Sequence, residues 1–129
     1  MTGIRRALFG PVSPVIVDQD GSYWVLQDVR FYSRQIYCTS EFVGWVNLSR
    51  LFKDNITEVS TSQATTLIIA GGQLYSCGAL FGTSKYMLVV KQNYSNVQSI
   101  ASGVDASYIL LPQSLVVIRT TQEQQYNFT

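Results

Sequence analysis

Histidine is absent from this chain. Without an imidazole the usual general base near neutral pH is missing, and with it the Ser-His-Asp triad and the Cys-His pair. Cysteine is scarce: Cys38 and Cys77 are the only two. They are too few and too far apart for a metal site, whose commonest zinc partner would be the missing histidine. They read as two buried thiols, with a disulfide as the alternative. Charge is thin as well, at 13% of residues, about half of the roughly 25% usual in soluble domains. The net charge is +1, and the basic residues are scattered apart from Arg5 and Arg6. No basic stripe is present to neutralise phosphates, so nucleic acid is not an expected partner. No apolar run approaches the ~18 residues of a membrane span. The stretch MTGIRRALFGPVSPVIV is interrupted by Pro11 and Pro14, which makes it a poor secretory signal. The sequons at Asn47, Asn55, Asn93 and Asn127 therefore read as by-products of an Asn-, Ser- and Thr-rich surface.

Two further kinds of chemistry fail on inspection. The segments GVDAS, GGQLYSCG and FGTSK lack the Gly-Lys-Ser/Thr pattern and the strand-to-helix context of a phosphate loop. Asp18 and Asp20 form a carboxylate pair, but in VDQDGSY they sit where Asp side chains bond to local backbone and build a turn. The expectation is a chain with no catalytic, cofactor-binding or metal-binding residues and no cofactor.

What is present is a chain of 129 residues, 47% hydrophobic and rich in Ser, Thr, Gln, Asn and Tyr. That is one domain's worth of material, long enough to bury roughly two thirds of its unfolded surface. Sliding the chain by 41 residues lays NITEVSTSQATTLIIAGGQLYS, from Asn55, over NVQSIASGVDASYILLPQSLVV, from Asn96, without a gap. Ile56 meets Val97, Val59 meets Ile100, Ile68 meets Ile109 and Leu74 meets Leu115. An earlier copy of the second half is VIVDQDGSYWVL. Three hairpins are implied. Asp20-Gly21 and Gly71-Gly72 supply turn residues that tolerate positive φ, and Pro112 fixes φ at the first central position of a third turn. The flanks are Val15 to Val17 with Tyr23 to Leu26, Leu67 to Ile69 with Leu74 to Cys77, and Tyr108 to Leu111 with Leu115 to Ile118. They are β-branched, aliphatic or aromatic, as buried strands require.

RQIYCTS, EFVGWVNL and YMLVVKQ are further strand candidates. A short helical turn is expected around SRLFKDN, capped by Ser49. No stretch sustains a 3.6-residue period, so the fold class is all-β. About four strands per 40 to 50 residues is the spacing of a propeller blade.

With IASGVDASYILL and GGQLYSCG in view, the chain resembles the regulator of chromosome condensation repeat, a β-propeller blade family. Ile100, Ala101, Ser102, Gly103, Ser107, Ile109 and Leu110 match the first part of that repeat. Gly72, Leu74, Tyr75, Ser76 and Gly78 match the second. Ala106, and Thr65 in the preceding copy, stand where the family has His; Cys77 stands in the usual Trp position, and Ser62 replaces the Gly at 103. The resemblance implies propeller-like antiparallel blades, about two with an extra hairpin, completed by oligomerisation or by docking on a partner. The whole chain, residues 1–129, then forms a single β domain. Residues 15–54 are a first blade-like unit, 55–95 a second, 96–118 a partial third and 119–129 a polar tail, either disordered or extending a strand into a neighbour. A propeller closes with 4 to 8 blades, and a partial ring leaves an apolar blade face open to water.

Arg30, Phe31, Tyr32, Arg34 and Tyr37 in DVRFYSRQIY are of the types enriched at interface hot spots. With Tyr126 and Phe128 of the tail they are the candidate protein contacts. Low charge, an amide- and hydroxyl-rich surface and an incomplete repeat favour a non-enzymatic structural subunit of a symmetric assembly, a virion component such as a capsid decoration, tail or fibre protein. Its expected partners are itself or other subunits. The alternative is a propeller-type binding module acting on a soluble protein, as members of the resembled family grip a small GTPase, chromatin or a β-lactamase; its location would be cytoplasmic.

Overall fold

The computed structural model describes residues 3–9, 14–28, 43–61, 65–79, 86–102, 106–119 and 123–128. Twelve strands and one short helix follow in chain order: β1 (Ile4–Phe9), β2 (Pro14–Asp18), β3 (Tyr23–Asp28), β4 (Val43–Asn47), a 3-10 helix (Leu48–Leu51), β5 (Ile56–Thr61), β6 (Thr65–Ala70), β7 (Gln73–Ala79), β8 (Tyr86–Lys91), β9 (Ser99–Ser102), β10 (Ala106–Leu110), β11 (Ser114–Arg119) and β12 (Glu123–Asn127). They form three four-stranded antiparallel sheets in which neighbours in sequence are neighbours in space: β1-β2-β3-β4, β5-β6-β7-β8 and β9-β10-β11-β12. Each is an up-and-down meander, the build of a propeller blade.

The three expected hairpins are the centres of the three sheets. At Gly71-Gly72 both glycines have positive φ, +59° and +75°, and Ala70 pairs with Gln73. This is the two-residue turn whose twist suits flanking strands. The Asp20-Gly21 turn is longer. Gly21 N donates to Asp18 O at 3.0 Å, and the Asp18 carboxylate accepts from Asp20 N at 2.9 Å and Ser22 N at 3.0 Å. At Pro112, Leu111 N donates to Ser114 O at 2.8 Å.

The structure has more strands than the two blades and a hairpin read from the sequence. β1 adds an inner strand to the first sheet, and β12 completes the third by pairing with β11 from Ser114↔Asn127 to Ile118↔Glu123. Much of the polar tail is therefore a strand of its own blade. The helical turn also differs in its cap: Asn47 Oδ1 accepts from Ser49 N at 3.0 Å, while Ser49 Oγ accepts from Tyr23 N at 3.0 Å. Ser49 is the second residue of the helix, two positions past the cap at Asn47. Of the strand candidates, EFVGWVNL and YMLVVKQ contain β4 and β8, and RQIYCTS lies outside the described residues.

Alternation along strands places successive side chains on opposite faces, and in the middle blade both faces are buried. Ile68, Ala70 and Cys77 join Val15, Val17, Tyr23, Val25, Val46 and Leu48 of the first blade in one core. Leu67, Ile69 and Leu74 join Val97, Ile100, Ile109, Val116 and Ile118 around the third blade in another. Burial of each such aliphatic side chain stabilises the fold by about 1.5–3 kcal/mol before entropy is counted. Cys77 is 1% exposed and disulfide-bonded, so it is not the buried thiol expected for it. Cys38, the only other cysteine, lies outside the described residues.

Polar links complement the apolar ones. Ser99 Oγ donates to Glu58 Oε1 at 3.0 Å, and Ser60 Oγ bonds Ser102 Oγ at 3.0 Å, tying the inner strands β5 and β9. Tyr23 OH reaches Thr57 O at 3.3 Å and accepts from Arg6 Nη2 at 3.2 Å. Gln73 Nε2 donates to Tyr94 O at 2.8 Å, fastening the link that leads from the second blade to the third.

Candidate interaction surfaces

Since the middle blade covers one face of each neighbour, the opposite faces of the outer blades look away from both cores. On the first blade the register groups Ile16 with Trp24, and Leu26 with Trp45. Trp45 is 40% exposed, and Ile4, paired with Asp18, is 58% exposed. On the third blade Tyr108 stands between Ala101 and Val117, and Leu110 beside Leu115, which in turn faces Tyr126. Leu110 is 36% and Tyr126 50% exposed. Both faces are largely apolar, with Asn47 beside Trp24 on the first and Ser99 beside Leu110 on the third, while Ile16 and Val117 are buried; large exposed apolar side chains on a sheet face mark contact surfaces.

A cleft of about 420 Å³ opens at the turn end of the first blade, lined by Asp18, Asp20, Ser22, Trp24, Asn47 and Arg50 among others. Asp18 is 2% exposed, and besides the two turn amides it accepts from Trp24 Nε1 at 3.0 Å. Its oxygens are spent on holding the turn and the indole. Asp20 sits exposed beyond it, and what it gives to Asp18 is its backbone N–H. Turn formation, the role read from the sequence, accounts for the pair. No group of three or more His, Cys, Asp or Glu is placed to hold a metal ion among the described residues.

The seven expected contact residues divide. Arg30, Phe31, Tyr32, Arg34 and Tyr37 lie outside the described residues, in the connection 29–42 between β3 and β4. Tyr126 and Phe128 are exposed at the far sheet. Tyr126 OH donates to Gln124 Oε1 at 2.7 Å, and Phe128 N donates to Gln113 O at 2.9 Å. Along the chain the first group falls between β3 and β4, and Tyr126 and Phe128 lie in and just after β12, with β5 to β8 between them in sequence. Ile16, Trp24, Leu26, Trp45, Leu110 and Leu115 were not singled out as contacts by the sequence reading. The available signal was the repeat: the 41-residue offset relates Leu110 and Leu115 to Ile69 and Leu74, and the turn alignment of Gly21 with Gly72 relates Trp24 to Tyr75, so that a face follows for these positions once one register is known.

Across 98% of its length the chain superposes on Prp20p from Saccharomyces cerevisiae with a TM-score of 0.70 at 16% identity. Its fold is that of the RCC1 propeller blade. Yeast RCC1 (Prp20) in its Kap60 complex matches with a TM-score of 0.66 at 16% identity over 88% of this chain. Human WBSCR16 matches with 0.69 at 11% over 96%. The chain spans 39%, 31% and 38% of those three, well under half of an RCC1-type propeller. No family model matches the sequence, and no curated protein matches it. Among the described residues no helix is long and apolar enough to cross a membrane.

Proposed function

We propose that residues 1–129 form a single β domain working as a propeller-type protein-binding module without catalytic activity of its own. The observation that carries this reading is the superposition of nearly the whole chain on a protein studied for its binding to Gsp1p and histones and crystallised with Kap60. The virion subunit favoured by composition draws no support from these neighbours, and the binding module takes its place.

Binding residues concentrate on loops held by a rigid scaffold. The longest connection inside a sheet is 29–42, against 80–85 and 120–122 at the corresponding places in the other two. It contains Arg30, Phe31, Tyr32, Arg34 and Tyr37, which supply guanidinium and aromatic anchors suited to a protein surface. Tyr126 and Phe128 offer a second, smaller contact. The test is affinity purification of the tagged chain from cells that express it, beside a variant carrying Arg30→Glu and Arg34→Glu. A co-purifying protein in stoichiometric amount, lost in the variant while the melting temperature holds, is the expected result. Recovery without a partner, or with one that ignores the substitutions, overturns the assignment.

A further inference from the structure

Four of the five asparagines open a sequon: Asn47-Leu48-Ser49, Asn55-Ile56-Thr57, Asn93-Tyr94-Ser95 and Asn127-Phe128-Thr129. Ser and Thr together make up 24 of the 129 residues, so chance would put one of them two places after about one of those five asparagines. Composition therefore does not account for the sequons. The fifth asparagine, Asn96, is the one the backbone itself calls for: its φ is +55°, a region that asparagine enters more readily than most residues.

The fold turns the middle residue of a sequon inward and leaves its ends outside, as alternation along extended chain requires. Ile56 is buried between Asn55 and Thr57, both exposed. Tyr94 packs against the core around the third blade, between Asn93 and Ser95, both exposed. Asn55 and Asn93 lie in the two connections that lead from one blade to the next, 52–55 and 92–98. The second connection is pinned to the middle blade, since Gln92 N donates to Leu74 O at 2.9 Å and Leu74 N to Tyr94 O at 3.0 Å. Asn93 is thus held outward on fixed main chain. Asn47 differs: it is half-buried, and its Oδ1 caps the 3-10 helix.

Cys77 supplies an independent observation. It is disulfide-bonded, and disulfides persist in oxidising surroundings, outside the cell or in the lumen of the secretory pathway, and are rare in the reducing cytosol. An exposed sequon becomes a glycan acceptor in the same surroundings.

We propose that Asn55 and Asn93 carry N-linked oligosaccharides, added in an oxidising secretory compartment. The donor is an oligosaccharide on a polyisoprenyl pyrophosphate. Nδ2 of the asparagine bonds to the anomeric carbon, the bond from that carbon to the pyrophosphate oxygen breaks, and the pyrophosphate leaves with the electron pair. One amide proton passes to a base on the transferase, and no atom changes oxidation state. Both sites stand at the end of the sheets where the central hairpins turn, because β4 and β8 leave their sheets there, and Val97 N donates to Gly72 O at 3.0 Å. Asp28 pairs with Val43 at the opposite end, where the 29–42 connection departs. The glycans leave that connection clear, and this inference does not rest on the contact proposed for it.

The test is peptide mapping by mass spectrometry on the chain purified from the cells that express it, after digestion with peptide N-glycosidase in heavy-oxygen water. That treatment turns each asparagine that carried a glycan into a labelled aspartate, and label is expected at Asn55 and Asn93. Asn55→Gln and Asn93→Gln, made in the same cells, are each expected to run smaller by one glycan, and the double variant by two. Thr57→Ala should lose the glycan at Asn55 while Thr57→Ser keeps it, a pattern that a merely structural threonine would not produce. Asn96→Gly, which suits the positive φ, should keep both glycans. Absence of label from either asparagine overturns the proposal, and so does a glycan at Asn55 that survives Thr57→Ala. A Cys77 that reacts with maleimide in the unreduced, denatured chain overturns it as well. The Arg30→Glu, Arg34→Glu variant is expected to keep both glycans, so failure of the modification and failure of the loop contact read out separately.

Discussion

Thr66 lies on β6 with no exposed surface, opposite Cys77 and on the same side of the strand as Ile68 and Ala70. Its hydroxyl is buried with no hydrogen-bond partner among the described residues. A hydroxyl taken from water into such a site without a partner costs about 1–3 kcal/mol on mutational evidence. Thr66→Val replaces it with a methyl group of similar volume and keeps the β-branched shape that suits a strand. The new methyl slightly fills the site, so the low end of that range applies, a gain of about 1 kcal/mol. At this chain length that is a rise of about 3–5 °C in melting temperature. Urea denaturation at fixed protein concentration measures it, with an unchanged m-value showing that the unfolded state is the same. Thr66→Ala, which removes the hydroxyl but also leaves a void where the methyl was, is expected to be less stable than Thr66→Val by about 1 kcal/mol. A loss of stability in Thr66→Val would refute the reasoning, because it would mean that the hydroxyl is bonded and that two packed blades leave no orphan there.

Other perturbations follow from the same geometry. Gly71→Ala combines a φ of +59° with a new Cβ only 2.6 Å from Asp54 Oδ2 and 2.9 Å from its Cβ, so a cost of about 2 kcal/mol is expected. Gly72→Ala, at φ +75° with open space around it, should cost about 1 kcal/mol, and equal losses on chemical denaturation would show that the Asp54 contact is unimportant. Reduction with dithiothreitol should lower stability by about 2–4 kcal/mol, since Cys77 is disulfide-bonded and buried. An unchanged unfolding midpoint would contradict that.

The central hairpins were legible because their turns have a stereochemical signature: Gly71-Gly72, Asp20-Gly21 and Pro112 each restrict or free φ where the chain reverses. The inner run Leu67 to Ala70 was legible as a strand but not as a two-faced one, because a strand buried on both sides loses alternation. β12 was hidden for the opposite reason. Glu123, Gln124, Gln125, Tyr126 and Asn127 are all exposed, and a strand held by backbone pairing and one polar side-chain bond, from Gln125 Nε2 to Ser114 Oγ at 3.0 Å, leaves little trace in the hydrophobic pattern. β1 begins with Ile4 and carries Arg5 and Arg6 past a register shift, and the shift breaks the two-residue period that would have revealed it. The contact faces required register, and register comes from pairing. Without it, Trp24 and Val25 look alike, although one looks outward and the other is core.

Equivalent positions recur from blade to blade, 41 residues apart between the second and third, as Leu74 and Leu115 show, and 51 to 52 apart between the first and second, as Tyr23 with Leu74 and Val17 with Ile69 show, and this makes the molecule modular. Removing one whole blade from the middle would bring Val17 and Tyr23, which pack on one side of it, against Ile109 and Val116, which pack on the other, a meeting of the same kind as those already present. Removing half a blade would set two like faces together. Length in such a chain can therefore change only by steps of a full blade, and each step alters the circumference of whatever ring the chain enters while leaving the joints between its members the same.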